Sequence, residues 1–383
     1  MQIDNINVYQ VRLPFSQKFS HSQNKGLYAN NIIVEVVTNN REISGYGEGS
    51  PRIYVTGESQ KSSADCVAYL VKKDTFPWQL DDVHQIWDFI DSLPHDKFNN
   101  AAICSIELAL LDALAREQNR SLIEYFSKDF FTNNVFYGAA IPIAGKNQIV
   151  EICELILSLK IDKIRIKMGK DLKQNRATVE TVKDMFRDGL DIRIDANGAW
   201  DRELALSHVP LIKDYNIKVV EQPLNQDDPG IAQFAGSLQT CNAILMADES
   251  ACSMNDIRKI LEERYYGMVN IRLSKCGGFR KSIRIIDCLR SQAVPFQIGC
   301  QLGESGILSA AGRALSLLCG DAMYYDGSYD KLLLKENITR ENVSFGYGGK
   351  AGPLDGPGLG IEINHESLKR LCNSSSVISI PRP

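Results

Sequence analysis

The sequence predicts an α/β fold, a (β/α)₈ barrel of the TIM type with a separate α+β domain before it. From about residue 135, short apolar runs alternate with amphipathic stretches of helical period. The ends of successive runs recur every 24 to 28 residues, at Lys167, Asp195, Glu221, Asp248, Arg272, Gly299 and Asp326. A strand, a helix and two loops need about that length, and eight such units close a barrel of about 250 residues. The alternative is an open, doubly wound sheet, which the even spacing and the lack of a GxGxxG motif after an early strand disfavour.

The stretch before the barrel has a different pattern. Residues 2–15 and 29–40 are rich in β-formers, and Asn39-Asn40 is a plausible hairpin turn. Helical spacing follows and ends in residues 99–118, where alanine, isoleucine and leucine recur on one face. Strands followed by helices predict an α+β domain over 1–130, with the barrel over 131–345. We expect residues 346–383 to fold back on the first domain.

The amino-acid composition excludes several classes of protein. The 383 residues are 44% hydrophobic and 23% charged, with a net charge of −4, which leaves no basic surface for nucleic acid or anionic membrane. No apolar run approaches the ~20 residues of a membrane span, and the opening residues do not resemble a signal peptide. The ten cysteines are scattered without a CxxC pair, which is typical of reduced thiols. We therefore expect a cytoplasmic enzyme that acts on a small molecule.

The second barrel strand carries charges where a barrel normally has apolar side chains. In the run 163–167, Lys-Ile-Arg-Ile-Lys, the two isoleucines share one face and the cations share the other. The isoleucines can pack only against the helices, so Arg165 and Lys167 should point into the barrel mouth. A solvated edge strand is the alternative, but the neighbouring strands argue against it.

Three neighbouring strands end in acids, Asp195, Glu221 and Asp248. Each acid directly follows an apolar run, so each should lie at the catalytic, carboxyl-terminal face of the barrel. A single such acid is more often a helix cap or a surface charge, but three converging carboxylates repel one another unless a cation joins them. Oxygen ligands suit one Mg²⁺ per subunit, with Mn²⁺ as the alternative. None of the five histidines falls at a strand end.

The sixth strand should face the second across the barrel. Alternation directs Asn270 and Arg272 inward, so Lys167 and Arg272 would flank the three carboxylates. A carboxylate substrate held by the metal could then lose its α-proton to Lys167. The sequence thus predicts proton abstraction next to a carboxylate.

These residues together resemble the enolase superfamily, specifically the muconate-lactonizing-enzyme subgroup of muconate cycloisomerases and dipeptide epimerases. The motifs that carry the resemblance are Arg-Ile-Lys at 165–167, Asp-Ala-Asn at 195–197, Glu-Gln-Pro at 221–223, Ala-Asp-Glu-Ser at 247–250 and Asn-Ile-Arg-Leu-Ser-Lys-Cys-Gly-Gly at 270–278. The resemblance covers essentially the whole chain and makes the first domain a capping domain. It implies Mg²⁺ bound by Asp195, Glu221 and Asp248, with Lys167 as a base.

The sequence also departs from the family pattern. Family members that racemise or epimerise usually have a second lysine where this chain has Arg272, and Arg165 replaces another lysine. Arginine stays protonated at neutral pH, so it is a good clamp and a poor base. We therefore expect a single-base isomerase or lyase, in which Lys167 performs a cycloisomerisation or a β-elimination. The alternatives are a racemase or epimerase of dipeptides or N-acylamino acids with Arg272 as second acid/base, and a catalytically inactive binding relative.

The predicted substrate contacts lie on both domains. The capping loops are 16–26, with Phe19 and His21, and 51–57, with Tyr54; the barrel contributes Asn197, Asn270, Gln301, Glu304 and Asp326. The acids Glu304 and Asp326 suggest a small, amino-acid-derived carboxylate with an amine. We also expect a homo-oligomer.

Overall fold

The first domain is built on an antiparallel sheet in the computed structural model, which describes residues 1–16, 26–40, 43–186 and 189–383, without the side chains of 373–376. The strand order is β14-β1-β2-β3, so the last strand of the chain returns to the first domain. The strands are β1 (Ile3–Pro14), β2 (Tyr28–Thr38), β3 (Ser44–Gly49) and β14 (Cys372–Pro381). In the part of the chain described, no helix is long and apolar enough to cross a membrane.

Four helices follow β3, and two of them pack directly against this sheet. The four helices are α1 (Ile53–Thr56), α2 (Gln60–Leu70), α3 (Val83–Asp91) and α4 (Asn100–Glu117). The longest, α4, is buried over almost its whole length. It lies so close to β3 that a Cβ on Gly45 or Gly47 would meet backbone oxygens of α4 at 2.2 and 2.1 Å. Glycine at alternate positions of β3 therefore permits this contact, since alternate residues of a strand share one face.

The second domain is a barrel of parallel strands, as the sequence predicts. Within the described ranges, eight strands pair in chain order from β5 to β12. They are β5 (Ala139–Ile141), β6 (Lys163–Lys167), β7 (Asp191–Asp195), β8 (Val219–Glu221), β9 (Ile244–Ala247), β10 (Met268–Ile271), β11 (Phe296–Ile298) and β12 (Tyr324–Tyr325). The predicted α/β class and barrel are confirmed.

The barrel helices pack outside these strands. They are α5 (Lys146–Ser158), α6 (Leu172–Phe186), α7 (Arg202–Ser207), α8 (Val209–Asp214), α9 (Ile231–Leu238), α10 (Met254–Glu263), α11 (Leu273–Cys276), α12 (Phe279–Ser291), α13 (Gly306–Leu318) and α14 (Asp330–Leu333). Capping side chains fix several starts; Ser253, for example, accepts a hydrogen bond from Asp256 N at the start of α10.

The eighth unit of the barrel is incomplete. After β12, the helix α14 is only four residues long, and the chain continues mostly as loop. This stretch contains β13 (Lys350–Ala351), which pairs with the short strand β4 (Val135–Phe136), and then α15 (His365–Leu371) leads into β14. The flank of α5 beside β12 is therefore covered by loops and not by a full helix.

Candidate active site

The second barrel strand directs two cations into the barrel, because alternate side chains of β6 face opposite sides. Ile164 and Ile166 are fully buried in the apolar core. On the other face, Lys167 Nζ donates to Asp195 Oδ2 at 2.5 Å and to Asn197 Oδ1 at 2.9 Å. Arg165 NH1 donates to Glu221 Oε2 at 3.1 Å. The structure thus places both predicted cations against predicted metal ligands.

The predicted ligand acids lie side by side at the strand ends. Lys167, Asp195 and Glu221 are register partners on β6, β7 and β8, and Asp248 directly follows β9. All three acids have no exposed surface. Such burial is tolerable only because cations surround the carboxylates.

Arg272 approaches the same acids from the sixth strand. Its guanidinium donates to Glu221 Oε1 at 3.4 Å, to Asp248 Oδ2 and, at 3.0 Å, to Gln301 Oε1. Lys275 Nζ donates to the other oxygen of Asp248 at 3.0 Å. Asp248 is therefore held by two cations, and Arg272 links it to Glu221.

These contacts determine the charge states of the site. Burial alone would raise the pKa of Glu221, but Arg165 and Arg272 outweigh it and hold that pKa well below its usual range. The pKa of Asp195 is raised by burial and by the neighbouring Glu221. Burial lowers the pKa of Arg272, but Asp248 and Glu221 more than compensate, so its pKa lies above the ordinary value. Arg272 therefore stays protonated.

The donor set suits Mg²⁺ in its chemistry. The three acids offer only oxygen ligands, and their mutual repulsion favours a divalent cation among them. As the side chains stand, however, no three His, Cys, Asp or Glu side chains of the described residues form a group that could hold a metal ion. Arg272 occupies the contact with Glu221 and Asp248 instead. The three carboxylates therefore fit the metal if the Arg272 guanidinium moves away from Glu221 and Asp248.

A cavity of about 250 Å³ lies above the charged residues. Seven side chains predicted for the site line it, from both domains: Tyr54, Arg165, Lys167, Asn197, Arg272, Gln301 and Glu304. Strands β6 and β10 lie four positions apart in the eight-stranded sheet, so the cations of β6 face Arg272 across the barrel, and the loop after β11 contacts Arg272 through Gln301. The cavity is large enough for a small carboxylate.

Two predicted contacts lie beneath the cavity and not in its lining. Asn270 is fully buried and donates to Glu221 Oε1 at 2.7 Å. Asp326 is 1% exposed and pairs with Arg193 at 3.0 Å and with Arg165 Nε at 3.3 Å. The carboxylate of Asp326 is thus already neutralised by two arginines. Phe19 and His21, also predicted, lie outside the described residues.

The capping domain holds the loop after β11 in place. Glu48 is fully buried and accepts hydrogen bonds from Ser305 N at 2.9 Å and from Leu308 N at 2.9 Å. Asn31 Nδ2 donates to Gly303 O at 2.8 Å, and Arg52 NH2 donates to Leu302 O at 2.5 Å. Arg52 belongs to the predicted capping loop 51–57, whereas Asn31 and Glu48 were not among the residues predicted for the site. The available signal was the polar Asn31 directly before the apolar run 32–34 of β2, and the single acid, Glu48, of the glycine-rich strand β3.

That loop presents a neutral carboxyl group to the cavity. Burial raises the pKa of Glu304 to about 8, although Gln301 N donates to its Oε1 at 2.6 Å. Below that pH, Glu304 is mainly protonated and can donate a proton. Glu304 and Arg272 share Gln301, since Arg272 donates to the Gln301 side chain. The wall opposite Lys167 therefore combines a fixed positive charge with a carboxylic acid.

Known proteins resemble this chain over most of its length. A family model described as enolase C-terminal domain-like matches residues 149–367. The hydrophobic dipeptide epimerase of Enterococcus faecalis is 25% identical over 94% of this chain and 95% of its own, and the N-succinyl-L-Arg/Lys racemase of Bacillus cereus is 26% identical over 97% and 98%.

Solved structures have the same fold. The Bacillus cereus racemase superposes with a TM-score of 0.86 at 24% identity over 99% of this chain and all of its own. A dipeptide epimerase from Cytophaga hutchinsonii, complexed with Mg and the dipeptide D-Ala-L-Val, gives 0.85 at 23% over 99% and 100%. A muconate lactonizing enzyme from Pseudomonas fluorescens, complexed with muconolactone, gives 0.84 at 21% over 97% and 99%.

Proposed function

Because the chain belongs to the enolase superfamily, and a dipeptide epimerase and an N-succinyl-L-Arg/Lys racemase are among its relatives, we propose that it is a racemase or epimerase of N-acylamino acids or dipeptides. The reaction would remove the proton α to the carboxylate and return a proton to the same carbon. The observation that carries the proposal is a cavity lined by Lys167 on β6 and, four strands further round the sheet, by Arg272 and the loop that carries Glu304. The names of the relatives support this class of substrate.

Lys167 is the base in this reaction. Its Nζ lies at the cavity wall, held by Asp195 and Asn197, so the amine is positioned before substrate arrives. A general base must reach the proton it removes within about 2.6–3.2 Å, directly or through one water. The carboxylate of the substrate would face the arginines, with the α-carbon towards Lys167.

The opposite wall returns the proton. Arg272 stays charged, so it stabilises negative charge without donating its own proton. Glu304 can supply the proton, because its raised pKa keeps it neutral at physiological pH. This assignment differs from the sequence-based alternative, in which Arg272 itself is the second acid/base.

A bound Mg²⁺ would be held by Asp195, Glu221 and Asp248, and it would neutralise the charge that develops on the substrate carboxylate. The proposed ligands are the acids that Arg165, Lys167 and Arg272 hold in the structure. Binding therefore requires rearrangement of at least one of these cations.

The second candidate is a one-face reaction, in which the proton is removed and returned on the same face of the substrate. The observation that favours it is the fixed charge of Arg272, which leaves Lys167 as the one amine on the cavity wall in the part described. Cycloisomerisation or β-elimination would then use Lys167 both to remove and to return the proton.

Proton exchange in D₂O separates the two candidates. The Mg²⁺-supplemented protein is incubated with the L and D forms of N-acylamino acids and of dipeptides, and deuterium at the α-carbon is followed by NMR. A racemase or epimerase exchanges the proton and interconverts both configurations. Exchange of one configuration with no interconversion would support the one-face reaction. No exchange in any member of these series would contradict the proposed function.

A further inference from the structure

The cavity does not end at its charged walls, but continues along one stripe of α5. The residues of α5 that line it are Gln148, Ile152, Leu155 and Ile156, and Leu159 follows directly after the helix. Their spacing of three or four residues places them on one face. From Gln148 to Leu159 the stripe extends for about 16 Å, at about 1.5 Å per residue.

Apolar residues also form the opposite side of this extension. Leu332, Leu333 and Phe345, from the stretch after β12, line the same cavity. We call the space between these residues and the α5 stripe the α5 groove. It exists because α14 has only four residues, so no full barrel helix packs against this flank of α5.

The outer part of the α5 groove exposes leucine side chains to solvent. Leu155 is 48% exposed and Leu332 is 46% exposed, and both line the cavity. Exposed apolar side chains that are continuous with a binding cavity are typical of a ligand-binding surface. One end of the cavity therefore suits a carboxylate and the other suits a hydrocarbon.

The acids of the cavity are poor partners for an ammonium group. Of the described acids, Glu304 and Asp330 line it. Burial raises the pKa of each, to about 8 for Glu304. Asp330 Oδ2 is also occupied, since it accepts a hydrogen bond from Asn337 at 2.6 Å. Among the described residues, the two acids of this lining are therefore both less readily ionised than an exposed carboxylate, so a substrate ammonium gains little from them.

We infer that the α5 groove receives the hydrocarbon chain of an N-acylamino acid, so that the substrates are amino acids acylated with a medium-length fatty acid. This inference rests on the proposed function, because it names the substrate class of the same site. The carboxylate faces the arginines with the α-carbon towards Lys167, and the acyl chain runs outward between Leu155 and Leu332.

The test is calorimetric binding of N-acetyl-, N-hexanoyl- and N-decanoylalanine to the Mg²⁺-supplemented protein. A buried methylene contributes about 0.8 kcal/mol, so the Kd should fall about fourfold for each added CH₂ until the groove is filled. A Kd independent of chain length would overturn the inference, as would a dipeptide of alanine that binds more tightly than N-decanoylalanine.

Matched variants test where the acyl chain of the ligand lies. Leu155→Lys and Leu332→Lys each place a charge on one side of the groove, and both residues are exposed enough for the fold to tolerate lysine. Leu157→Lys is the control, since Leu157 is a 40% exposed residue of the same helix that does not line the cavity. The gain in affinity with chain length should shrink in the first two variants and persist in the third. Equal chain-length dependence in all three would overturn the inference.

The same ligands distinguish a failure of the groove assignment from a failure of the proposed reaction. Exchange of the α-proton of N-acetylalanine without chain-length dependence would overturn the groove assignment and leave the reaction intact. Chain-length dependence without exchange in any member would overturn the reaction and leave the groove as a binding site.

Discussion

The guanidinium of Arg272 joins two acids of neighbouring strands, since it donates to both Glu221 and Asp248. This link balances buried negative charge without a metal ion. It also means that a cation entering between these carboxylates must compete with the arginine.

Replacement of Arg272 should therefore strengthen metal binding. Arg272→Gln removes the competing charge, and we expect Mg²⁺ to bind about tenfold or more tightly, since a hydrogen bond to a charged group contributes about 1.5–3 kcal/mol. Isothermal titration with Mg²⁺ measures the effect. Arg176→Gln is the control, because it removes the same charge from an exposed pair with Asp214. Weaker Mg²⁺ binding to Arg272→Gln than to the control would contradict the competition.

The pH dependence should report the proton on Glu304. The pKa of about 8 predicts that the rate in the direction that begins with proton removal by Lys167 falls as the pH rises through that value, because the acid form of Glu304 is lost. In Glu304→Gln, the residual α-proton exchange should lack this alkaline limb and affect only one configuration. The measurement is the rate of exchange and of racemisation from about pH 6 to about pH 10. An unchanged alkaline limb in the variant would assign the titration to another group.

Glu48 should hold the loop after β11 in its active position. Glu48→Gln leaves fewer acceptor positions for Ser305 N, Leu308 N and Asn31 Nδ2, and we expect a loss of about 1–3 kcal/mol in the free energy of unfolding. Amide hydrogen exchange of residues 301–308 should also become faster, and kcat should fall.

Glu58→Gln is the matched control for this change. Glu58 is also a buried carboxylate, but it accepts from Ala101 N and Ala102 N at the start of α4, within the capping domain. This variant should lose stability without faster exchange at 301–308. Similar exchange at that loop in both variants would show that Glu48 acts on stability alone.

The barrel could be predicted because its determinants are local in sequence. Even spacing of apolar runs identified the strands, and alternation along 163–167 placed Arg165 and Lys167 inside. The same alternation in β7 directs Arg193 inward between Ile192 and Ile194, so the sequence also carries a signal for this buried arginine. Arg193 explains why Asp326 is paired within the barrel and does not line the cavity.

Contacts between the domains could not be read from the sequence. The hydrogen bonds of Asn31, Glu48 and Arg52 to residues 302–308 join positions some 250 residues apart, and no periodicity records them. The reach of Arg272 to Asp248 likewise depends on side-chain length and on the curvature of the barrel. The metal ligands, the base and the domain boundaries remain predictions.

Loss of the Lys167 amine tests the central proposal, that this residue removes the α-proton. The measurement is deuterium incorporation at the α-carbon of an N-acylamino acid by Lys167→Gln, with Lys163→Gln as the control, since Lys163 lies at the opposite end of β6. We expect Lys167→Gln to exchange about 10²–10⁴-fold more slowly, with the Kd for the ligand changed only a few-fold. Lys163→Gln should exchange at the rate of the unaltered protein. Exchange by Lys167→Gln at that same rate would contradict the assignment of the base.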